Sequence, residues 1–184
     1  MKSCISNEIA SLISEQIKKE YESSYLYLQF ADYYEKNGLP GFAAWFTIQA
    51  REEADHALIF LQYLHETNTE VKFYPIQPSS LNIKSIREPL EMALKHEKFV
   101  TESINKIFEK ADSENDFRTK LFLSWFITEQ FEEEINAQNF LDSYDLFVNG
   151  NCSKDSEYHC KSALLEMDRK YGERKYTPSS KLSA

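Results

Sequence analysis

The segment LPGFAAWFTIQAREEADHALIFLQYLHE, residues 39–66, decides the fold. Apolar and aromatic side chains recur along it at alternating steps of four and three, and two ionisable residues interrupt them near the middle. This face consists of Phe42, Phe46, Gln49, Glu53, His56, Phe60 and Tyr63. Such spacing is typical of a helix that packs lengthwise against other helices. The segment therefore predicts a long helix, helix B, whose buried seam contains a charged position.

Three further segments show the same arrangement. Helix A is predicted at about 5–36, helix C at about 85–111, and helix D from 114 to about 148. The predicted inward faces are Ile9, Ile13, Gln16, Glu20, Ser24, Tyr27, Ala31 and Tyr34 in helix A; Leu90, Ala93, Glu97, Val100, Ile104, Ile107 and Ala111 in helix C; and Phe122, Trp125, Glu129, Glu132, Asn136 and Phe140 in helix D, with Glu133 and Ala137 on its flank. Each face carries charge near its midpoint. Four amphipathic helices predict an all-α four-helix bundle.

The connections set the directions of these helices. The turn at Asn37 and Gly38 is short, so helices A and B are antiparallel. Residues 67–84 are polar and contain two prolines. Eighteen extended residues reach about 59 Å, whereas a 28-residue helix is only about 42 Å long. The loop is thus long enough to cross the bundle, and we expect helices B and C to be parallel, joined by one long B–C crossover.

The rest of the chain predicts a short fifth helix and a tail. Residues 157–171 carry an apolar side formed by Ala163, Leu164, Leu165 and Met167. We therefore expect one domain over 1–172 and a flexible tail over 173–184. At the start of helix C, Ser85 and Glu88 resemble a capping box. Proline is tolerated only in the first turn of a helix, so Pro89 leaves two starts open, Ile86 or Pro89 itself.

Composition excludes several functional classes. The net charge is −9, with 30 acidic against 21 basic residues, which argues against nucleic acid or an anionic membrane surface as a partner. No segment has the apolar core of a signal peptide or the length of a membrane span. We expect a cytoplasmic protein. Its cysteines, Cys4, Cys152 and Cys160, form no CxxC pair, and we expect free thiols.

The central charges predict a metal site. The midpoints of packed helices lie at one height whatever their direction, so these charges would converge in one buried layer. Burying several carboxylates costs several kcal/mol per ion unless cations compensate them. Glu53 and His56 are three residues apart and share a helix face. Carboxylates with one imidazole suit iron or another divalent first-row metal, and Glu53 is placed to bridge two ions, with Glu20 and His56 on one and Glu97 on the other.

Four strings in these helices resemble the non-haem bacterial ferritins. They are KKEYESSYLY at 18–27, AREEADH at 50–56, KHE at 95–97 and WFITEQFEEE at 125–134. The resemblance implies the ferritin-like bundle, iron storage, and ferroxidase activity in which dioxygen or peroxide oxidises Fe(II). It also implies a homo-oligomeric shell of 24 subunits.

The resemblance also implies a role for individual residues. Glu20, Glu53 and His56 would bind one iron of a dinuclear centre. Glu53 and Glu97 would bind the second, completed by either Gln130 or Glu133. The implied ligands of an additional third iron site are Glu52, Glu129 and Glu132, and Glu133 is a ligand that the two sites could share. Tyr27, two turns beyond Glu20, would donate an electron; the alternative is a core tyrosine whose hydroxyl meets a carboxylate.

Two departures separate the chain from related families. Bacterioferritins and rubrerythrins use a second Glu-x-x-His on the last helix, and this chain has no such histidine. Ala54 stands where haem-binding bacterioferritins present methionine, so no haem is expected. Two alternatives remain open: a di-iron oxygenase or peroxidase acting on another substrate, and a non-catalytic metal-binding bundle.

Overall fold

The computed structural model describes residues 3–77, 80–148 and 157–182. The helices are α1 Asn7–Lys36, α2 Pro40–Glu66, α3 Glu88–Ser113, α4 Phe117–Phe147 and α5 Glu157–Tyr171, followed by a single 3-10 turn at Ser180–Leu182. The described residues contain no strand. The predicted all-α bundle with a short fifth helix is confirmed.

Contacts of α1 establish the long crossover. The Ser24 hydroxyl of α1 donates to the Ala50 carbonyl of α2 at 2.7 Å, and the Ser103 hydroxyl of α3 donates to Gln16 at 2.6 Å. Tyr27 reaches Glu97 from the same helix. Later residues of α1 thus meet earlier residues of α3, so these two helices are antiparallel. Since α1 is also antiparallel to α2, the helices α2 and α3 run parallel, as predicted.

The residues between α2 and α3 follow α1 along its length. The Lys72 amide donates to Ser14 at 3.2 Å, the Gln77 amide to Glu22 at 3.2 Å, and the Tyr34 hydroxyl to the Ile86 carbonyl at 2.8 Å. These bonds satisfy polar backbone groups that a long connection would otherwise leave without protein partners.

Local capping explains where the helices begin. Ser6 caps α1 by accepting from the Ile9 amide at 3.2 Å, and Pro40 occupies the first turn of α2. Helix α3 begins near the later of the two predicted starts, with Arg87 as its N-cap and Pro89 in its first turn. The predicted capping box is wrong, because Glu88 accepts from the Lys84 amide. Helix α4 begins later than predicted, because Asp116 caps the Thr119 amide at 3.0 Å.

The apolar core lies on both sides of the charged layer. One cluster includes Tyr27, Phe30, Tyr34, Phe42, Phe46 and Phe140. The other includes Ile9, Ile13, Phe60, Leu64, Ile104 and Phe126. Stacked aromatic rings such as Phe60 and Phe126, with centroids 4.0 Å apart, help to fix the helix positions. Two packed clusters therefore hold the charged midpoints of the helices between them.

The predicted inward faces of α1, α2 and α3 are all buried. The predicted face of α4 is only partly right. Phe140 is buried, as are Glu133 and Ala137 on its flank. Phe122, Trp125 and Glu129 are half-buried, and Glu132 and Asn136 are exposed. The buried residues of α4 are Thr119, Leu123, Phe126, Gln130, Glu133, Ala137, Phe140, Leu141 and Tyr144. Large apolar residues also occur on other sides of this helix, where Phe117, Leu121 and Phe131 are exposed. Hydrophobic spacing therefore does not select one side of α4, and its packing against α3 determines which side is buried.

The chain end after α5 lies along α2. Tyr176 donates to Asp55 at 2.7 Å, and Leu182 packs against the cluster that contains Phe60. The flexibility expected for 173–184 in solution stays a prediction. Cys160 is disulfide-bonded, so the expectation of a free thiol is wrong there, whereas Cys4 is free. Cys152 lies outside the described residues.

Two glycines allow α5 to approach the beginning of α2. The Asp168 carboxylate is buried and accepts from the Phe42 amide at 2.8 Å. A Cβ on Gly41 would overlap the carbonyl oxygen of Asp168, and a Cβ on Gly172 would lie 2.9 Å from the Gly41 Cα. The Asp168 carbonyl belongs to the backbone of α5, so it cannot move aside unless the helix moves with it.

We expect Gly41→Ala to destabilise this junction by about 1–3 kcal/mol, the usual cost of overpacking. Thermal unfolding and limited proteolysis of α5 would measure the effect. The direction of the change in stability is diagnostic, because replacing Gly by Ala in a helix without such a neighbour stabilises the protein by up to about 1 kcal/mol. A more stable Gly41→Ala protein would contradict the close packing described here.

Membrane-spanning helices are not found among the described residues, since none combines the required length with sufficient apolar character.

Candidate metal centre

Helices α1 and α2 bring three predicted ligands together in the middle of the bundle. A ligand atom from each of Glu20, Glu53 and His56 lies within 4.8 Å of the others. All three side chains are buried, and His56 Nδ1 lies 3.6 Å from Glu53 Oε2. The prediction that these residues converge is borne out by the geometry; that they bind metal stays a prediction.

Two carboxylate oxygens in this group lack hydrogen-bond partners. They are Oε2 of Glu20 and Oε2 of Glu53, each buried. A buried polar atom without a partner costs about 1–3 kcal/mol, and more if it is charged. Such oxygens next to an imidazole fit a divalent cation as the missing partner.

Burial is the main cause of unusual protonation in this layer. It raises the pKa of Glu20, an effect that His56 opposes. Burial also raises the pKa of Glu53 well above its ordinary value, and the neighbouring carboxylates of Glu97, Glu20 and Glu133 raise it further. Without a cation, the group therefore favours bound protons; a cation would favour the ionised carboxylates.

Glu97 extends the layer into α3. The Tyr27 hydroxyl donates to Glu97 Oε1, and the Gln130 amide donates to Glu97 Oε2 at 3.0 Å. Burial, together with the charge of Glu133, raises the pKa of Glu97 to about 8. Burial and the Glu97 charge also raise the pKa of Tyr27 well above its ordinary value, so this phenol keeps its proton at neutral pH. The contact is the one expected of a core tyrosine, and the electron-donor role of Tyr27 stays a prediction.

Gln130 and Glu133, the alternatives that the sequence leaves for the second position, differ in what they present to the charged layer. The Gln130 amide nitrogen, which is not a metal ligand, donates to the Glu97 side chain and, at 3.1 Å, to the Glu97 backbone carbonyl. Glu133 is buried and presents a carboxylate that accepts from Gln49 Nε2 at 2.8 Å. A carboxylate is the stronger ligand for a hard cation. This geometry favours Glu133 as the ligand, with Gln130 orienting Glu97.

The residues expected at a third site are only partly assembled. Glu52 and Glu129 line a cavity of about 180 Å³ together with Asp55, His56 and Trp125. Burial raises the pKa of Glu52 to about 7, opposed by the nearby Arg174 charge. Glu132 is exposed, in contrast to its predicted inward position, whereas Glu133 faces the bundle interior.

These pKa values predict proton release on metal binding. At pH 6.5, Glu97 is mostly protonated without metal, because its pKa is about 8, and the raised pKa of Glu53 favours a bound proton there too. A divalent cation must displace those protons, so we expect release of about one to two protons per subunit at pH 6.5. Release should fall, and metal affinity rise, as the pH approaches 8. Calorimetry with Zn²⁺ in buffers of different ionisation enthalpy measures the number of protons released.

Glu97→Gln serves as the control, because it removes one titrating group and should release about one proton fewer. A proton count that does not change between pH 6 and 8 would contradict the raised pKa values. The folded-state values exceed the ordinary carboxyl value, so the metal-free protein should also lose stability as pH rises from about 4.5 to about 8.

Several polar partners of the site were not assigned from sequence. Gln16 donates to Glu20 at 2.8 Å and accepts from Ser103, whose hydroxyl also meets Lys19. Gln49 contacts Glu133, as described above. Both glutamines occupy inward positions, and a polar residue in a seam is the signal that could have identified them. Arg174, which contacts Gln49 and Glu52, carries no periodic signal.

Fold and site together define a class: a four-helix bundle with a buried carboxylate and histidine cluster in its core that could hold a metal ion. A family model for the ferritin-like domain matches residues 10–147. This chain belongs to the ferritin family.

Individual relatives support the same assignment. The chain is 35% identical to a bacterial non-heme ferritin of Campylobacter jejuni over 162 residues, covering 88% of this chain and 97% of that one. It is 37% identical to the ferritin BfrB of Mycolicibacterium smegmatis, covering 67% and 68% of the two chains. Among solved structures, an open pore ferritin of Archaeoglobus fulgidus superimposes with a TM-score of 0.84 at 33% identity, over 93% of this chain and 99% of that one.

Proposed function

We propose that this protein is an iron-storage ferritin that oxidises Fe(II) to Fe(III) at the buried carboxylate layer. The observation that carries the proposal is the convergence of Glu20, Glu53 and His56, two of which present buried oxygens without partners. Membership of the ferritin family supports iron as the substrate.

The residues divide between two iron positions that share Glu53. Glu20, Glu53 and His56 bind the first Fe(II). The second is bound by Glu53, Glu97 and Glu133, since the carboxylates of Glu97 and Glu133 are close enough to raise the pKa of Glu53. Carboxylates also stabilise the ferric product, because hard oxygen donors prefer the higher charge.

Two Fe(II) ions at one centre supply two electrons. That number reduces one dioxygen to peroxide, or one peroxide to water. The chain contributes position and charge: it binds the ions, releases protons from Glu97 and Glu53 as they arrive, and encloses the layer between two apolar clusters.

Further parts of the proposal concern iron after oxidation. Glu52, Glu129 and Glu132 form the third iron site beside the centre, and Glu133 is the ligand that this site could share with the centre. Iron is mineralised inside a 24-subunit homo-oligomeric shell, and solved ferritins support this assembly through their similarity in fold. The cytoplasmic location and the lack of haem stay predictions, as does electron donation by Tyr27.

Oxygen consumption tests the proposal. Fe(II) is added to the metal-free protein at stepwise ratios while dioxygen uptake and the transient absorbance are recorded, and particle size is determined on the same sample. We expect fast uptake that saturates at about two or three irons per subunit, followed by mineral growth in a large particle.

The same measurement distinguishes the two alternatives. Uptake without iron storage would indicate a di-iron oxygenase or peroxidase. Binding without uptake would leave a non-catalytic metal-binding bundle. The cavity of about 180 Å³ beside His56 is small for an organic substrate, and charged and polar groups form most of its lining, which favours the ferritin.

A further inference from the structure

The chain after α5 turns back along α2 and covers part of the proposed third site. We name residues 173–182 the C-terminal strap. Its contacts follow α2 in order: Arg174 meets Gln49 and Glu52, and Tyr176 meets Asp55.

Arg174 is held by three contacts. Its Nη2 lies 2.6 Å from Glu52 Oε2, and its Nη1 donates to Gln49 Oε1. The guanidinium also lies over the Trp45 ring, 4.8 Å from the centroid. The Arg174 and Glu52 side chains are only 24% and 20% exposed, so this ion pair is partly protected from solvent screening.

Arg174 therefore places a positive charge on the carboxylate that the third iron would need. Glu52 accepts from the guanidinium with the same type of oxygen lone pair that would coordinate a metal. A cation and the guanidinium compete for this group. Displacing Arg174 would also free Gln49, whose amide donates to Glu133 at 2.8 Å.

The rest of the strap closes the neighbouring cavity. Thr177 and Ser179 line the cavity that Glu52, His56 and Glu129 share. The Ser179 amide donates to Asp55 at 3.4 Å, which adds to the bond from Tyr176. Withdrawal of the strap would remove Arg174 from Glu52 and one wall of the cavity in a single movement.

We propose that Arg174 is a built-in cation that occupies the Glu52 side of the third metal site, and that metal binds there only when the strap withdraws. The inference rests on the proposed function for the identity of that site. It makes Arg174 the residue that determines whether iron uses two or three positions in each subunit.

Zn²⁺ titration of the iron-free, assembled, full-length protein tests this inference, since Zn²⁺ binds without redox chemistry. We compare the wild type with Arg174→Gln, which removes the charge, and Arg174→Lys, which retains it. The weakest Zn²⁺ site should become about tenfold tighter in Arg174→Gln, a change of the size expected when one charge-assisted hydrogen bond to a carboxylate no longer competes. Arg174→Lys should stay near the wild type.

Arg118→Gln is the matched control, because Arg118 is an exposed arginine in the first turn of α4 and is not part of the strap or the site. It should leave all Zn²⁺ affinities unchanged. Equal affinity of the weakest site in the wild type and Arg174→Gln would overturn the inference, and so would equal tightening in Arg174→Gln and Arg174→Lys.

The two tight sites report separately on the proposed function. If neither the wild type nor the variants bind two Zn²⁺ tightly, the dinuclear assignment fails. The change at the weakest site still decides whether Arg174 competes with a cation.

Discussion

Fe(II) oxidation in Glu53→Ala should be slower by about 100-fold or more, because the substitution removes the one carboxylate shared by both iron positions. Losing a shared ligand costs several kcal/mol of stabilisation, and each 1.36 kcal/mol corresponds to tenfold in rate. Glu53 lies within 4.8 Å of Glu20 and His56 and is buried with an oxygen that has no partner. Stopped-flow absorbance and oxygen uptake at two Fe(II) per subunit measure the loss.

The fold should survive this substitution. Removing an uncompensated buried carboxylate relieves charge crowding, so the isosteric Glu53→Gln should unfold, without metal, at the wild-type temperature or above it. Glu35→Ala, at an exposed position of α1, is the control and should leave the rate unchanged. An unaltered oxidation rate in Glu53→Ala would refute the assignment of the centre.

A second large effect is expected at Glu133. Replacing it with alanine should reduce the number of tightly bound metals from two to one per subunit and slow oxidation by about 100-fold, because the second ion loses an anionic ligand. Gln130→Ala should slow oxidation by less than about tenfold. Its amide nitrogen contacts Glu97, so its loss affects the orientation of a ligand instead of a metal bond.

Zn²⁺ calorimetry measures the number of metals bound by Glu133→Ala and Gln130→Ala, and oxygen uptake measures their oxidation rates. If Gln130→Ala lost the second metal while Glu133→Ala kept it, the ligand roles proposed here would be reversed. Similar unfolding temperatures in the two variants would show that the difference arises at the site and not in the bundle.

Much of the fold follows from the spacing of apolar residues. Helices α1, α2 and α3 each bury one face with steps of three and four, and every residue predicted on those faces is buried. The same criterion was only partly right for α4, where Phe122 and Trp125 mark one side and Leu123 and Phe126 another. When apolar residues surround a helix, periodicity no longer identifies the buried side, and contacts with α3 decide it.

The site, like the fold, could be predicted only in part from the sequence. Glu20, Glu53, His56 and Glu97 stand at charged interruptions of apolar seams, so sequence located them and their convergence. Glu132 was predicted to face inward but is exposed, because the buried side of α4 coincides only in part with the predicted one. Gln130 and Glu133 were left as alternatives, and the direction of the Gln130 amide, which no sequence pattern records, favours Glu133 as the ligand.

What the sequence by itself determined is the bundle, its long crossover and the charged layer at mid-height, because these depend on periodicity and on loop length along one chain. Only the tertiary structure decided the side of α4 that is buried, the partner of each carboxylate, and the position of Arg174 against Glu52. Arg174 and Glu52 are more than 100 residues apart, and no local pattern records a contact that forms only when α5 has docked on α2.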